Sequence, residues 1–593
     1  MRLARPGALA LSLLGALTLA LAAPPGARAD GGEELDQLLE LDARGGALGG
    51  WGDRFTERKR TYPYVEHNGY FRFRTEFFHN GHLGTVIPGD DRSGTSGIPA
   101  PLTENAINNT DVETSRLVGT EDAKVIASAN LRFRYSPTLH VSSTLRIRTT
   151  FDILDNLVMG STPDFSGHLN RPDVPLSAFA TSAAPPSAGV NGFRDGIRVK
   201  EAYGEFQPAF LLRVGRQSSH WGLGILSHGG GGIDDDFGNY VDRALLLFKA
   251  WGVYIGAMWD YVYSGAISDD PTHAFGQPRD LGNADDVNQW VLAIFQRPLS
   301  EQEQTARRAA VWERFEPSFD WGLYTVFRRQ DFDLDITSYD LWRQRGGMPS
   351  YDQLGLVPRD AWAIIPDLWL RYEKRFNFHS GIRVELEVAG IYGEVANVSA
   401  EVGDGTGFSS RKIRQLGAAL EAQYNYRNWD IGLHTGFATG DSARGFGVLD
   451  RHTLSDAAGN PNRELTAFKF ARDYRVDILL FREVIGTVTN ALYIKPWVSY
   501  DLFEGPEDAF GFRLDLLYAQ ALVPEATPGN SSFLGVEADL RAFYHDLAGG
   551  FLFDLEMGFL FPGAAFHYRP ADAANNRDAS FAFALRTRLT MKF

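Results

Sequence analysis

The chain has 593 residues, no cysteine, 13% aromatics and a formal net charge of −16. That acidic balance argues against nucleic acid, whose phosphates need Lys and Arg patches. Without cysteine there is no disulfide, thiolate zinc site or thiol nucleophile.

The first residues read as an export signal. Arg2 and Arg5 precede an apolar stretch from Ala8 to Ala23, and Ala27-Arg28-Ala29 has the small-residue pattern of a cleavage site. Residues 1–29 are therefore expected to be a signal peptide, with Asp30 opening the mature chain. Residues 30–63 form a leader in which Leu35, Leu38, Leu39 and Leu41 fit a short amphipathic helix as well as an unstructured segment. No later apolar run approaches the ~20 residues that a membrane-crossing helix needs. Membrane insertion would have to rest on strands, and residues 64–593 are read as one β-barrel.

Alternation with period two begins at Tyr70. Phe71, Phe73 and Phe77 share one face, and Arg72, Arg74 and Glu76 the other. Leu131, Phe133 and Tyr135 oppose Arg132 and Arg134. After a turn at Ser136-Pro137-Thr138, Val141, Leu145, Ile147, Phe151 and Ile153 oppose Arg146, Arg148 and Asp152. Further on, Ile382, Val384, Leu386 and Val388 oppose Arg383, Glu385 and Glu387. Leu534, Val536, Ala538 and Leu540 oppose Glu537, Asp539 and Arg541. Phe551 to Phe559 place apolar residues opposite Asp554 and Glu556. Aromatics gather at strand ends, as Tyr424, Tyr426 and Trp429 do, in the manner of an interfacial girdle.

Connections alternate between short and long. Eight short ones include Gln207–Ala209, Arg427-Asn428 and a longer, charged one at 298–310. Nine long ones are rich in Gly, Pro and Asp. Together they join about 18 antiparallel strands, within 16–20, with both ends on the short-turn, periplasmic side and the long loops outside. Tyr474 to Val488 is apolar enough for a strand. Counting it would break the parity, so it is read as a loop folded into the lumen.

Arg213-Val-Gly-Arg216-Gln217, followed by His220-Trp221-Gly222-Leu223-Gly224, ends one strand and opens a Gly-rich loop. The pattern resembles porin-like outer-membrane families, including alginate-export and other carbohydrate porins. That resemblance implies Arg213 or Arg216, with Gln217, near the lumen. In the loop that follows, Asp234, Asp235, Asp236 and Asn239 offer oxygen ligands, with Asp234 and Asp236 the candidate Ca²⁺ pair. The spacing is not that of an EF-hand, and a solvated acidic loop fits better.

The last strand places Phe593, Met591, Leu589, Leu585 and Phe583 on one face and Lys592, Arg588 and Arg586 on the other. A terminal Phe on the apolar face resembles the sorting signal that the barrel-assembly machinery reads. Closure would bring Arg586 and Arg588 beside Arg72, Arg74, Arg132, Arg134, Arg146 and Arg148 as a basic pore wall. Glu385, Glu387, Glu537, Asp539, Asp554 and Glu556 would supply the acids. Opposed charges of this kind bias a pore; as ion pairs they would only stiffen the wall.

There is no G-x-S-x-G, Walker loop or H-E-x-x-H, so the chain is not read as an enzyme, and no cofactor is called for. The expected function is a channel of the bacterial outer membrane, embedded in lipid and lipopolysaccharide. It would pass small hydrophilic solutes, anionic or sugar-like ones included. The rivals are a non-conducting adhesion or scaffold barrel and, behind it, an outer-membrane hydrolase.

Overall fold

The structure, a computed structural model, describes residues 61–85, 125–159, 197–262, 287–334, 356–398, 409–443, 445–447, 462–504, 508–546, 548–569 and 576–593. The expected signal segment and the candidate helix of the leader lie outside the described residues. The strands are β1 (Tyr64–Glu66), β2 (Gly69–His79), β3 (Val125–Tyr135), β4 (Thr138–His140), β5 (Leu145–Val158), β6 (Arg198–Phe206), β7 (Leu211–Ser218), β8 (Tyr240–Ala250), β9 (Val253–Val262), β10 (Val287–Gln296) and β11 (Ser318–Leu334). They continue with β12 (Leu356–Asn377), β13 (Ser380–Val398), β14 (Ser409–Tyr426), β15 (Trp429–Ala438), β16 (Glu464–Leu465), β17 (Ala491–Glu504), β18 (Asp508–Ala521), β19 (Phe533–Asp546), β20 (Phe551–Pro562) and β21 (Ala582–Lys592).

Eighteen of them form the wall in chain order: β2, β3, β5 to β15 and β17 to β21. Every neighbouring pair is antiparallel. The wall closes where β21 meets β2, from Tyr70↔Lys592 to His79↔Phe583. The short β1 pairs with β4, and β16 lies parallel to β14. The fold is thus a closed antiparallel barrel with the expected strand number. Closure removes the edges that an open sheet would leave unpaired. At the seam the Phe593 ring stacks near Tyr135, and a Cβ on Gly69 would sit 2.5 Å from that ring.

The alternation turns one face of each strand outward. Trp259, Trp290, Leu292, Phe319, Leu368 and Ile494 stand exposed on the outside, while Asp260, Gln289, Asp320 and Asp367 are buried inside. An apolar exterior around a charged interior suits a barrel crossing a bilayer. Tyr424, Tyr426, Trp429 and Tyr500 cluster exposed at one turn. The β8–β9 hairpin closes on Trp251-Gly252, where both residues have positive φ (52° and 84°), the requirement of a tight type I′ turn.

Two elements depart from the alternation. Leu534, expected on the outer face, is fully buried in the lumen. The β18–β19 register skips a residue there and Gly535 takes φ +138°, so a bulge changes the phase. The long turn at 298–310 holds helix α1 (Glu301–Arg308), begun by a capping box from Ser300 and Glu303 and continued as a π-helical turn to Glu313. Arg307 reaches inward to Asp320 and Glu373, and Trp312 stacks on Arg375 at 3.6 Å. The helix therefore lies against the short-turn ends of β11 and β12. Burial would push the Glu303 carboxyl up, but Lys249, the Leu299 and Ser300 amides and the Tyr254 hydroxyl bring it down to about 2.

The apolar core sits inside the barrel. One cluster is built from the loop after β15, including Phe468, Phe470, Leu479, Leu480, Phe481 and Val484. The other gathers Trp221 with inward residues of β8 to β12. Wall glycines receive the loop side chains. A Cβ on Gly322 would lie 2.6 Å from the Trp221 ring, one on Gly417 2.4 Å from Phe468, and one on Gly558 3.1 Å from Ile478. Gly322→Val is therefore expected to cost about 1–3 kcal/mol in urea unfolding through overpacking. Gly204→Val, where a Cβ meets nothing within 4 Å, should stay within about 0.5 kcal/mol.

Candidate functional site: the filled lumen

The basic wall comes from register. Arg72 pairs directly with Arg132, and Arg74 with Arg588. Like charges directly opposite one another destabilise a sheet unless counter-charges arrive. Here they arrive from a loop. Residues 219–239, between β7 and β8, fold inward, and Gly230 and Gly238 take positive φ (65° and 78°) where they pack against each other. The loop tip sets Asp234 at 3.0 Å from Arg74, 3.1 Å from Arg588 and 2.7 Å from Arg482. Asp236 lies 3.3 Å from Arg72, 3.0 Å from Arg74 and 3.0 Å from Arg475.

Wall acids complete the neutralisation. Asp152 takes Arg134 through two bonds of 2.7 and 2.9 Å, and Asp155 takes Arg132 at 3.1 Å. Glu76 takes Arg586 at 3.0 Å, and Asp554 takes Arg588 at 2.9 Å. Glu556 stands 3.7 Å from Arg588. Arg146 bonds Gln207 at 2.7 Å and pairs with Glu205; Arg148 faces inward beside it, opposite Tyr203. Arg72 and Arg132 have no exposure at all. Six of the eight arginines expected on the basic wall thus point inward and are closed over, rather than lining open water.

The loop between β15 and β17 supplies what the sequence reading did not name. Arg475 and Arg482 clamp Asp234 and Asp236, Glu483 takes Arg586 at 3.2 Å, and Asp473 accepts the amides of Asp236 at 3.0 Å and Gly238 at 2.6 Å. The two inward loops are therefore bound to each other as well as to the wall. Of the acids, Glu385 holds Arg383 and Arg371, Glu387 and Glu537 hold loops rather than cations, and Asp539 lies buried two residues from Glu537 on the same face.

The motif after β6 divides by parity. Arg213 turns inward onto Glu205 at 2.7 Å, and Gln217 is buried. Arg216 shares its face with Val214 and points outward, half exposed, paired with Asp242 at 2.9 Å. Of the two lumen candidates only Arg213 can face in, because residues three apart on a strand lie on opposite faces. Trp221 is the loop's anchor, stacked on Tyr324 with ring centroids 5.0 Å apart.

No protein-family model matches the sequence, and no curated protein does. Solved structures with a similar strand layout include OccK9 (OpdG) of Pseudomonas aeruginosa, at 11% identity and TM-score 0.42, covering 89% of this chain and 99% of that one. OccK2 (OpdF) of the same organism has 10% identity and TM-score 0.42, covering 89% and 98%. Its outer membrane protein OprD has 10% identity and TM-score 0.39, covering 89% and 94%. At these values the likeness is one of strand layout, and the barrel rests on its own register.

Two groups could be considered for a metal. Asp234 and Asp236, the candidate Ca²⁺ pair, are committed to guanidiniums, so a dication there would stand among four or more arginines. His228, Asp235 and Asp473 bring one donor atom each within 4.8 Å of the others. Asp473 already accepts three amides, and Arg475 stands 3.6 Å from it. The first set acts as internal counter-charge, and the acids of the second hold loop amides.

Cations that meet solvent lie elsewhere on the inner face. Arg328 of β11 is exposed and bonds the Gln289 side-chain oxygen at 2.7 and 3.0 Å; Gln289 in turn donates to Asp260.

Proposed function

We propose that this chain is a porin-like channel of the bacterial outer membrane. Its lumen is narrowed by residues 219–239 and 462–490, and small hydrophilic solutes pass beside them. The reading rests on one observation above all: a closed 18-strand wall with an apolar outside and a charged inside. Barrels of that strand number enclose an aqueous channel unless something fills it. Lipid and lipopolysaccharide would surround it, its termini would be periplasmic, and the strand ending at Phe593 would be read by the assembly machinery.

Anion preference would come from arginines in contact with water. Arg132 and Arg134 are spent on Asp152 and Asp155, so reversing them would break buried pairs. Arg328→Glu is the informative change: it should move the reversal potential in a salt gradient away from anions while the barrel still refolds. An unchanged potential would remove Arg328 from the selectivity site.

Proteoliposome swelling with sugars and carboxylates of graded size tests the channel. Uptake that falls with solute size supports a narrow pore. A second reading is favoured by the packing itself: apolar clusters and ion pairs fill much of the lumen, as a non-conducting scaffold would have it. No swelling with any solute, from correctly folded protein, would select that reading.

A further inference from the structure

Two wall glutamates hold the two inward loops in the same manner. Glu387 on β13 accepts the amide of Gly224 at 2.8 Å and those of Ile225 and Leu226 at 3.4 Å. Glu537 on β19 accepts the amides of Ile478, Leu479 and Leu480 at 3.1, 2.7 and 2.8 Å. Both glutamates have no exposure. Three consecutive amides converging on one carboxyl favour its ionised form. Yet each glutamate also has a second buried carboxyl as its neighbour on the inner face: Asp367 on β12, diagonal to Glu387 in the register Asp367↔Ala389 and Trp369↔Glu387, and Asp539, two residues along β19 from Glu537. Two carboxyls in such contact, away from water, share a proton rather than both ionise.

We propose that each shared proton is a latch. It keeps the aspartic acid neutral while the glutamate keeps its charge for the loop amides, so the loops are docked when the pairs hold a proton and released when they lose it. Around the first pair the facing groups are Trp221 and the loop amides, with Tyr324 opposite Asp367 on β11 and Glu385 two residues from Glu387 on the inner face of β13. The second pair faces Asp477, whose oxygens take the amides of Phe481 and Arg482, with Glu483 beyond it on the loop. On the wall it faces Asp515, which carries Lys495 and Arg513. Both carboxyls of each pair stand on the wall, and docking seals them from water, which favours the protonated pair and so takes up protons. It is therefore favoured at low pH and weakens as pH rises. Under the channel reading, release would widen the lumen, but docking itself can be followed without any current.

The test is amide hydrogen exchange of the refolded full-length chain in detergent between pH 6 and pH 10, corrected for intrinsic rates. Protection of Gly224 and of Ile478 to Leu480 should fall by about tenfold across that range. In Asp367→Asn and Asp539→Asn the side-chain amide donates to the glutamate at every pH. Protection of the corresponding loop should then stay within about twofold. Wild-type protection that does not change with pH overturns the proposal with no variant needed, as does an unaltered pH response in both variants. Neither outcome depends on the chain conducting.

Discussion

Excising residues 440–489 and joining β15 to β17 by a short Asn-Gly turn is expected to raise single-channel conductance several-fold. The strands would still close, because Ala438 and Ala491 are paired antiparallel neighbours. What would be lost is the apolar cluster of Phe468, Phe470 and Leu479 to Phe481, together with Arg475 and Arg482. Asp234 and Asp236 would keep Arg72, Arg74 and Arg588, so the basic wall would stay neutralised while water replaced the plug. A wall of eighteen strands stripped of that filling leaves an aqueous lumen. Conductance unchanged from the parent would mean that the loop does not bound the passage.

Asp236→Asn is expected to destabilise the barrel by about 3–5 kcal/mol, because removing one partner of a buried ion pair leaves the other charge uncompensated. Asp236 stands within 4 Å of Arg72, Arg74, Arg132, Arg475 and Arg482. Arg72 and Arg132, without exposure, have no water to turn to. Arg216→Gln breaks an equally well-formed bidentate pair with Asp242, but one whose side chains are 50% and 44% exposed. Solvent screens it, so the loss should be about 0–1 kcal/mol. Urea titration of both variants by tryptophan fluorescence measures the difference. Equal losses would mean that the luminal cluster is wetter than its burial implies.

The wall was legible in the sequence because a strand reports its two faces residue by residue. Phe71 against Arg72, or Val384 against Glu385, carries the information locally. Turn and loop lengths then fixed the strand number, and the parity argument set Tyr474 to Val488 inside the lumen, where its apolar residues are buried. The interior was less legible because its contacts are distant in sequence. Nothing near Asp234 indicates that its partners are Arg74, Arg482 and Arg588, so a run of aspartates read as a calcium ligand set or a solvated loop. Arg132 and Arg134 look the same to a periodicity argument whether they line water or sit under a loop. Leu534 was misplaced because a bulge at Gly535 changes the phase without a mark in the composition. Gly322, Gly417 and Gly558 look like weak strand residues until the side chains they receive are known.

Single-channel current through the refolded protein without residues 1–29 in a planar bilayer under a salt gradient tests the central claim most directly. The account predicts discrete, small conductance steps, enlarged when residues 440–489 are removed. A folded barrel that passes no current in either form would contradict it, since neither the wall nor the loop would then enclose a path.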